Sequence, residues 1–374
     1  MNQYFNPVRT FQGHGSLQVL RELLRDLLPG GGTVLLLAWD ESVFRLPAMR
    51  ELQEEGSFHL LPRCFQASNP TVEQLFEVYK ETKENIPDAV IAVGGGSVLG
   101  VGKSLCCLYG KELHSPEEVR TLILQKAYGT PSVRWIGVPT TAGTGSEVTC
   151  WATIWDPEKQ AKRSVESKEN YAYAAVVDPD LTMGMPVRLA VSSALDAAAH
   201  AVESYWAKGT NVTSRMLALG AIRTIMTQID GLLEGKEGAA EAMSAGSLLA
   251  GLAFSNTKTT ACHSISYPLT MKYKIPHGTA VSMLLGPVFS LNQAKTKECE
   301  PLLAALDVTD AEELELRIQS ILKRAGIPST LREWNARKEE LPELALLGIT
   351  KGRADNNPVD LTPEMIQSIL EHIY

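Results

Sequence analysis

The stretch from Ala89 to Leu108 limits the fold of this chain more than any other. Ala89 to Val93, AVIAV, is an unbroken apolar run of strand length, the pattern of a strand buried on both faces. It passes directly into Gly94-Gly95-Gly96-Ser97, and apolar residues resume at helical spacing from Val98 through Lys103 to Leu108. Strand, glycine turn and helix make the repeating unit of a parallel sheet covered by helices. In that context the bare backbone of the turn lets N–H groups approach a pyrophosphate at a helix N-terminus. A tight turn without a ligand uses the same residues, and the spacing is not that of the common GxGxxG fingerprint.

Similar units flank this one. Ser16 to Leu28 has helical spacing and stops at Pro29 and three glycines; Thr33 to Ala38 follows as a buried strand. Asp40 lies just past it, where an acid bonds the ribose hydroxyls of NAD in many nucleotide-binding sheets, although a surface turn also favours Asp. Thr71 to Asn85 is helical and Val133 to Val138 is a third strand. That strand empties into PTTAGTGSEVT, residues 139–149, whose Thr140, Thr141, Thr144 and Ser146 offer hydroxyls to a diphosphate or to the loop's own backbone. Cys150 to Trp155 and Ala161 to Glu166 read as a hairpin, and Tyr173 to Val177 as a further strand. Beyond about residue 183 helical periods take over, at 186–206, 211–234, 238–254, 258–271, 279–294, 310–325 and 362–373. The expected fold class is an α/β N-terminal Rossmann-like domain, residues 1–183, plus an all-α C-terminal domain, residues 184–374, with a cleft between them.

Inside the first of those helices lies Asp196-Ala197-Ala198-Ala199-His200. A carboxylate and an imidazole four apart share a helix face, and the alanines leave that face open. His263 and His277 follow. The four residues supply one carboxylate oxygen and three imidazole nitrogens, a set that suits divalent iron or zinc with a position left for water or substrate. They are equally compatible with one hydrogen-bonded Asp–His pair and two unrelated histidines.

Composition narrows the partners to small molecules. The net charge is −8 with no basic tract, against nucleic acid or an anionic membrane as main partner. No run of about 20 uninterrupted apolar residues suggests a membrane span. The N-terminus has neither a basic flank nor an apolar run, as expected of a chain without a signal peptide. The six scattered cysteines, with no CxxC pair, fit reduced thiols in the cytoplasm.

Taken in order, FQGHGSL, GGGS with Lys103, PTTAGTGSEVT, VVDPDLT, DAAAHAVESY, HSISYPLT, IPHG and NNPVDLT resemble the iron-containing (group III) alcohol dehydrogenase family over essentially the whole chain. The resemblance implies the dehydroquinate synthase-like fold and an NAD(H)-linked interconversion of a small alcohol and aldehyde at Fe2+ or Zn2+. It also implies a cytoplasmic homodimer. Asp196, His200, His263 and His277 fall on the family's metal ligands, and Gly95, Gly96 and Ser97 on its pyrophosphate loop, with Gly94 a further cofactor candidate beside them. Thr140, Thr141 and Thr144 fall on its second cofactor loop, where Ser146 is a further cofactor candidate, and Lys162 on a lysine that contacts the cofactor. Two positions depart from the pattern. Gly100 stands where the family has Asp, and Tyr267 where it has a histidine that relays the substrate proton. A phenol can also donate and accept, although its ordinary pKa of about 10 is far from neutral pH.

The segment SNTKTTACHSISYPLT, residues 255–270, together with Tyr267 resembles the branch that reduces phosphonoacetaldehyde or sulfoacetaldehyde. Lys258, Thr259, Arg353 and Asn356 are the candidates for holding such an acid group, Asn357 standing beside the last. A single lysine among neutral donors suits a sulfonate monoanion better than a phosphonate, unless Arg353 or Lys272 adds a second cation. A general short-chain alcohol dehydrogenase, a dehydroquinate synthase-like or glycerol-1-phosphate dehydrogenase-like enzyme, and an inactive dinucleotide-binding relic share the same architecture.

Overall fold

Alternation along the strands builds the first part of the molecule. In the computed structural model, which describes residues 3–159 and 161–374, the strands are β1 (Arg9–Gln12), β2 (Gly32–Ala38), β3 (Phe58–Cys64), β4 (Ala89–Gly94), β5 (Arg134–Pro139), β6 (Trp151–Asp156), β7 (Ala161–Glu166) and β8 (Ala174–Val177). Six of them form a sheet in the order β1-β8-β5-β4-β2-β3, all neighbours parallel, while β6 and β7 pair as an antiparallel hairpin. Leu35, Leu37, Val90 and Ala92 pack into a core on one face; Val34, Leu36, Ile91 and Val93 pack into a second core on the other. Helices α1 (Leu20–Leu27) and α2 (Pro47–Glu54) contribute to the second core, and α3 (Val72–Thr82), α4 (Gly96–Leu108) and α5 (Pro116–Gln125) to the first. Residues Asn6–Thr141 and Ser146–Leu181 make up this unit.

The second unit contains Thr182–Tyr374, the short stretch Ala142–Gly145 and a few N-terminal residues ending at Phe5. Its helices are α6 (Val187–Trp206), α7 (Val212–Leu233), α8 (Ala239–Thr257), α9 (Ala261–Tyr273), α10 (His277–Ser282), α11 (Leu285–Asn292), α12 (Cys299–Leu306), α13 (Ala311–Arg324), α14 (Leu341–Leu347) and α15 (Pro363–His372). They share one core, to which α6 gives alanines together with Val191, Leu195, Val202, Tyr205 and Trp206. By length and composition α7 could cross a membrane, but it packs on α6 and α8 and carries Arg215, Arg223 and Asp230.

Several elements escape or shift the sequence reading, each for a physical reason. Strands β1 and β3 are the sheet edges; β1 is mostly exposed and β3 carries Pro62 and Arg63, so neither shows a buried-strand pattern. Helices α2, α5, α12 and α14 are short. The helix expected over 258–271 begins only at Ala261, because Lys258 adopts a left-handed backbone (φ 63°) that ends α8. The one expected over 279–294 divides into α10 and α11.

A charge network ties the hairpin to two helices. The buried Asp156, at the end of β6, accepts from Arg120 Nε of α5 at 3.0 Å and from Arg163 Nε and Nη2 of β7 at 2.9 and 2.8 Å. Arg120 also meets Glu73 of α3, Glu117 and Glu158. Burial alone would raise the Asp156 carboxyl, but the two guanidiniums outweigh it and hold it below the usual carboxylate range. Removing one member of such a buried pair costs about 3–5 kcal/mol. Asp156→Asn is therefore expected to lower the thermal midpoint clearly at pH 7. Because the folded pKa lies below the unfolded value of about 3.9, the deficit should shrink as pH falls through it. Melting curves of both proteins from pH 7 to pH 3 provide the check; a constant deficit would assign it to packing instead.

Candidate metal centre

Helix α6 presents Asp196, His200 and Glu203 along one buried face, four and then three residues apart. His277 reaches this face because α10 starts against α6: a Cβ on Gly278 would lie 1.9 Å from the Ser192 carbonyl oxygen, so only glycine permits the approach. Thr279 reinforces it, its N–H and hydroxyl each 3.1 Å from Ser192 Oγ. His263 comes from the first turn of α9. One ligand atom each from Asp196, His263 and His277 falls within 4.8 Å of the others. Asp196 Oδ1 is 3.5 Å from His263 Nε2 and 3.9 Å from His277 Nε2. His200 lies alongside, Nδ1 3.9 Å from Asp196 Oδ2, its ring stacked between Phe254 at 4.2 Å and His263 at 4.3 Å. The close cluster thus holds three of the four expected ligands, with His200 against its edge.

Glu203 explains why the cluster suits a cation. Its Oε2 takes the Nδ1 proton of His263, while Oε1 accepts from Thr260 Oγ1 at 2.8 Å and from the Cys262 N–H at 2.6 Å. With Nδ1 donating to Glu203, Nε2 is the atom that His263 turns toward Asp196; burial works against a charge on this ring, but Glu203 and Asp196 outweigh it and raise its pKa. Both Asp196 Oδ1 and His263 Nε2 are buried without a hydrogen-bond partner among the described residues. A proton or a metal ion between these two atoms would satisfy both, and oxygen plus imidazole nitrogen is a donor set for iron or zinc. Burial pushes His200 down to about 4, with His263 adding to it and Asp196 opposing. That keeps the ring neutral, the form that binds metal. Burial alone would raise Asp196, but the imidazoles around it outweigh this and lower its pKa. Sequence reasoning missed Glu203, although its position seven residues after Asp196 puts it on the same helix face.

The residues named for substrate divide. Tyr267, buried on α9, stacks on His277 with ring centroids 6.0 Å apart, and the Arg353 guanidinium lies 5.7 Å over the Tyr267 ring. Burial raises the Tyr267 phenol, and the Arg353 charge pulls the other way. Lys258 is half-buried at the end of α8 and Thr259 is buried beside it. Asn356 spends its amide on the carbonyl oxygens of Thr257 and Thr259, and Asn357 bonds Asn292 and Val359. Lys272 is held by Glu340 and Glu343.

Asp40, the Gly94–Ser97 turn, Thr140 and Thr141, named for the cofactor, gather in the other unit at the carboxyl ends of β2, β4 and β5, neighbours in the sheet. Strand β3 continues to one side of β2 and β4 lies on the other, which makes this the switch point where open α/β sheets bind ligands. Asp40 follows β2 and caps a short 3-10 turn, its Oδ1 accepting the Ser42 N–H at 2.8 Å. At the end of β4, a Cβ on Gly94 would meet Val98 at 2.6 Å, and the N-terminus of α4 has no side-chain cap, leaving its N–H groups for an anion. Thr140, past β5, donates its N–H to the Gly94 carbonyl at 3.1 Å, and Gly95 lies against Thr141. Ser97 Oγ accepts the Asn69 N–H, Ser146 is engaged by Lys103, and the Lys162 ammonium lies 5.0 Å over the Trp155 ring. Thr144 belongs to the 142–145 stretch of the helical unit. Gly100, in place of the family Asp, faces Ala152.

Residues 7–179 match the family described as iron-containing alcohol dehydrogenase, and residues 190–374 its C-terminal part. The chain is 31% identical over 309 residues to lactaldehyde reductase of Escherichia coli K12, covering 80% of each. It is 27% identical over 380 residues to sulfoacetaldehyde reductase of Bilophila wadsworthia, covering 96% of each. The solved iron-containing alcohol dehydrogenase of Thermotoga maritima superposes with a TM-score of 0.86 at 26% identity, covering 100% of this chain and 99% of that one.

If Glu203 orients His263 for metal, Glu203→Gln should weaken divalent-metal affinity by about 10–100-fold while the fold persists. Metal titration monitored by calorimetry, with a melting curve as control, measures it. Unchanged affinity would reduce Glu203 to a structural partner of Thr260 and Cys262.

Proposed function

Since the chain belongs to the iron-containing alcohol dehydrogenase family of NAD-linked alcohol and aldehyde oxidoreductases, we propose that it reduces a small anionic aldehyde. The substrate is sulfoacetaldehyde, giving isethionate, or phosphonoacetaldehyde, giving 2-hydroxyethylphosphonate. The observation that carries the reductase reading is the buried cluster of Asp196, His263 and His277, in which Asp196 Oδ1 and His263 Nε2 face each other without a hydrogen bond. The acidic substrate draws support from the likeness to the Bilophila sulfoacetaldehyde reductase. The likeness to lactaldehyde reductase favours the second reading, a neutral short-chain substrate. Residues 1–183 serve as the dinucleotide-binding domain and residues 184–374 as the metal- and substrate-binding domain.

Asp196, His200, His263 and His277 would hold the divalent metal. A bound metal would supply Lewis-acid polarisation of the carbonyl, and a bound nicotinamide the hydride. The rest falls to the chain. Glu203 fixes the His263 ring so that Nε2 faces the cluster. The uncapped N-terminus of α4, with Gly94 to Ser97, receives the diphosphate, helped by Thr140, Thr141, Thr144, Ser146 and Lys162. Tyr267, stacked on His277, exchanges the product hydroxyl proton at its Oη.

Three experiments follow. A screen of acidic and neutral C2–C3 aldehydes with metal-loaded protein and NADH tests the function; equal turnover of both kinds leaves a general alcohol dehydrogenase. Tyr267→Phe should lower kcat about 10²-fold or more with unchanged metal content, the scale of a lost proton-transfer group. A kcat near the parent's would move proton exchange to water. Asp40→Gly should raise kcat/KM for NADPH relative to NADH, since Asp40 bonds the ribose 2′-hydroxyl and repels a 2′-phosphate. A constant ratio would leave Asp40 as the cap of its turn.

A further inference from the structure

We propose that Arg353 is the anchor for the acid group of the substrate, a tetrahedral sulfonate or phosphonate, and that Lys258 is secondary to it. The inference rests on the reading of the substrate as an acidic aldehyde and names the residue that selects it.

The first support is the state of the guanidinium. Arg353 Nε is buried without a hydrogen-bond partner, and among the described residues no carboxylate pairs with this side chain. Several other cations of the helical unit are paired: Lys208 with Asp360, Arg215 with Glu298, Lys272 with Glu340 and Glu343, and Arg317 with Asp307. The guanidinium meets the Tyr267 ring and phenol but no carboxylate among the described residues, so its charge is left for an anion from outside to balance.

The second support is its place. Arg353 covers Tyr267, which stacks on His277, so its charge lies one ring away from the candidate metal centre. A two-carbon aldehyde carries its acid group on the carbon next to the carbonyl. With the carbonyl at the centre, the counter-charge must therefore be close by and not at the surface.

The third support is rigidity. Ser264, the residue after His263, bonds the chain just before Arg353: its Oγ donates to the Gly348 carbonyl at 2.5 Å and accepts the Thr350 N–H at 2.8 Å. On the other side Asn356 Nδ2 bonds the Thr257 and Thr259 carbonyls at 2.8 and 3.1 Å. The loop bearing Arg353 is thus fastened at both ends to the segment that delivers His263. Asn356 acts as a positioning residue and does not itself touch the substrate. A planar fork held in this way suits bidentate contact with two oxygens of a tetrahedral anion.

The test uses the metal-loaded full chain with NADH. kcat and KM are measured for sulfoacetaldehyde, phosphonoacetaldehyde and propanal in the parent, Arg353→Gln, Arg353→Lys and Lys258→Ala. Arg353→Gln should lower the ratio of acidic to neutral kcat/KM by roughly tenfold to a hundredfold, mainly through KM. Arg353→Lys, which keeps charge but not the fork, should fall between, and Lys258→Ala should lose less than Arg353→Gln. Calorimetric binding of isethionate and 2-hydroxyethylphosphonate should weaken in parallel, and the two acids side by side show which headgroup the site prefers. A parent that prefers acids, with the preference intact in both Arg353 variants, overturns the anchor and leaves the substrate reading standing. A larger loss in Lys258→Ala hands the role to Lys258. A parent that does not prefer acids removes the substrate reading, and this inference with it. If Arg353→Gln fails to fold, Arg353→Lys alone decides: an undiminished preference with undiminished binding of both acids overturns the proposal.

Discussion

The helical unit is organised around two buried polar atoms that face each other. Asp196 Oδ1 and His263 Nε2 lie 3.5 Å apart, and neither makes a hydrogen bond among the described residues. Left alone this is an electrostatic cost inside a low-dielectric core. The arrangement persists because everything behind it is satisfied. Glu203 accepts from the His263 ring, the Cys262 N–H and the Thr260 hydroxyl, and Trp206 donates to the same hydroxyl at 2.8 Å. A centre that leaves its inner atoms open while saturating its outer ones is built to receive a cation.

Small residues make the convergence possible. Ala197, Ala198, Ala199 and Ala201 give α6 the slim profile that lets other segments approach it. Gly278 exploits this most, with the Ser192 carbonyl where a side chain would begin. Gly143 does the same from the 142–145 stretch: a Cβ there would lie 2.9 Å from the Ser193 carbonyl oxygen, and its own carbonyl oxygen lies 3.3 Å from His200 Nδ1. Along this stretch the contacts are close backbone approaches, which is why it reads as almost featureless until its partners are known.

What the sequence disclosed follows the same physics. Strands buried on both faces, β2, β4, β5 and β8, are visible as apolar runs, and so are the long helices; edge strands and short helices are not, because solvent on one side dilutes their pattern. Asp196 and His200 were legible because a helix fixes their relation. His263 and His277 were named from residue type and family resemblance, since no local rule ties them to α6. The polar run before His263 was read as a helix lined for substrate. In the structure much of its polarity turns inward, with the Thr257 hydroxyl on Ser204 and the Thr260 hydroxyl on Glu203. Sequence shows that a group is polar but not which way it points, and that is why Glu203 was missed.

The α/β unit applies a comparable economy through Lys103. This residue is fully buried, and its ammonium bonds the Ser146 carbonyl at 2.8 Å, the Thr149 hydroxyl at 3.1 Å and the Trp151 carbonyl at 2.8 Å, with the Trp135 ring 5.2 Å beneath it. Burial pushes its pKa down to about 7, the nearby Cys150 and Glu147 opposing. Such a group is costly to bury and is kept only where several acceptors need one donor. Here they lie along 146–151, the segment after the threonine-rich turn, and the helix that carries Lys103 also carries the glycine turn at its N-terminus. One helix thus presents free N–H groups at its start and clamps the neighbouring loop from its middle. Sliding α4 by a turn would misplace both at once, so the two loops at the sheet's carboxyl edge are set by a single rigid element.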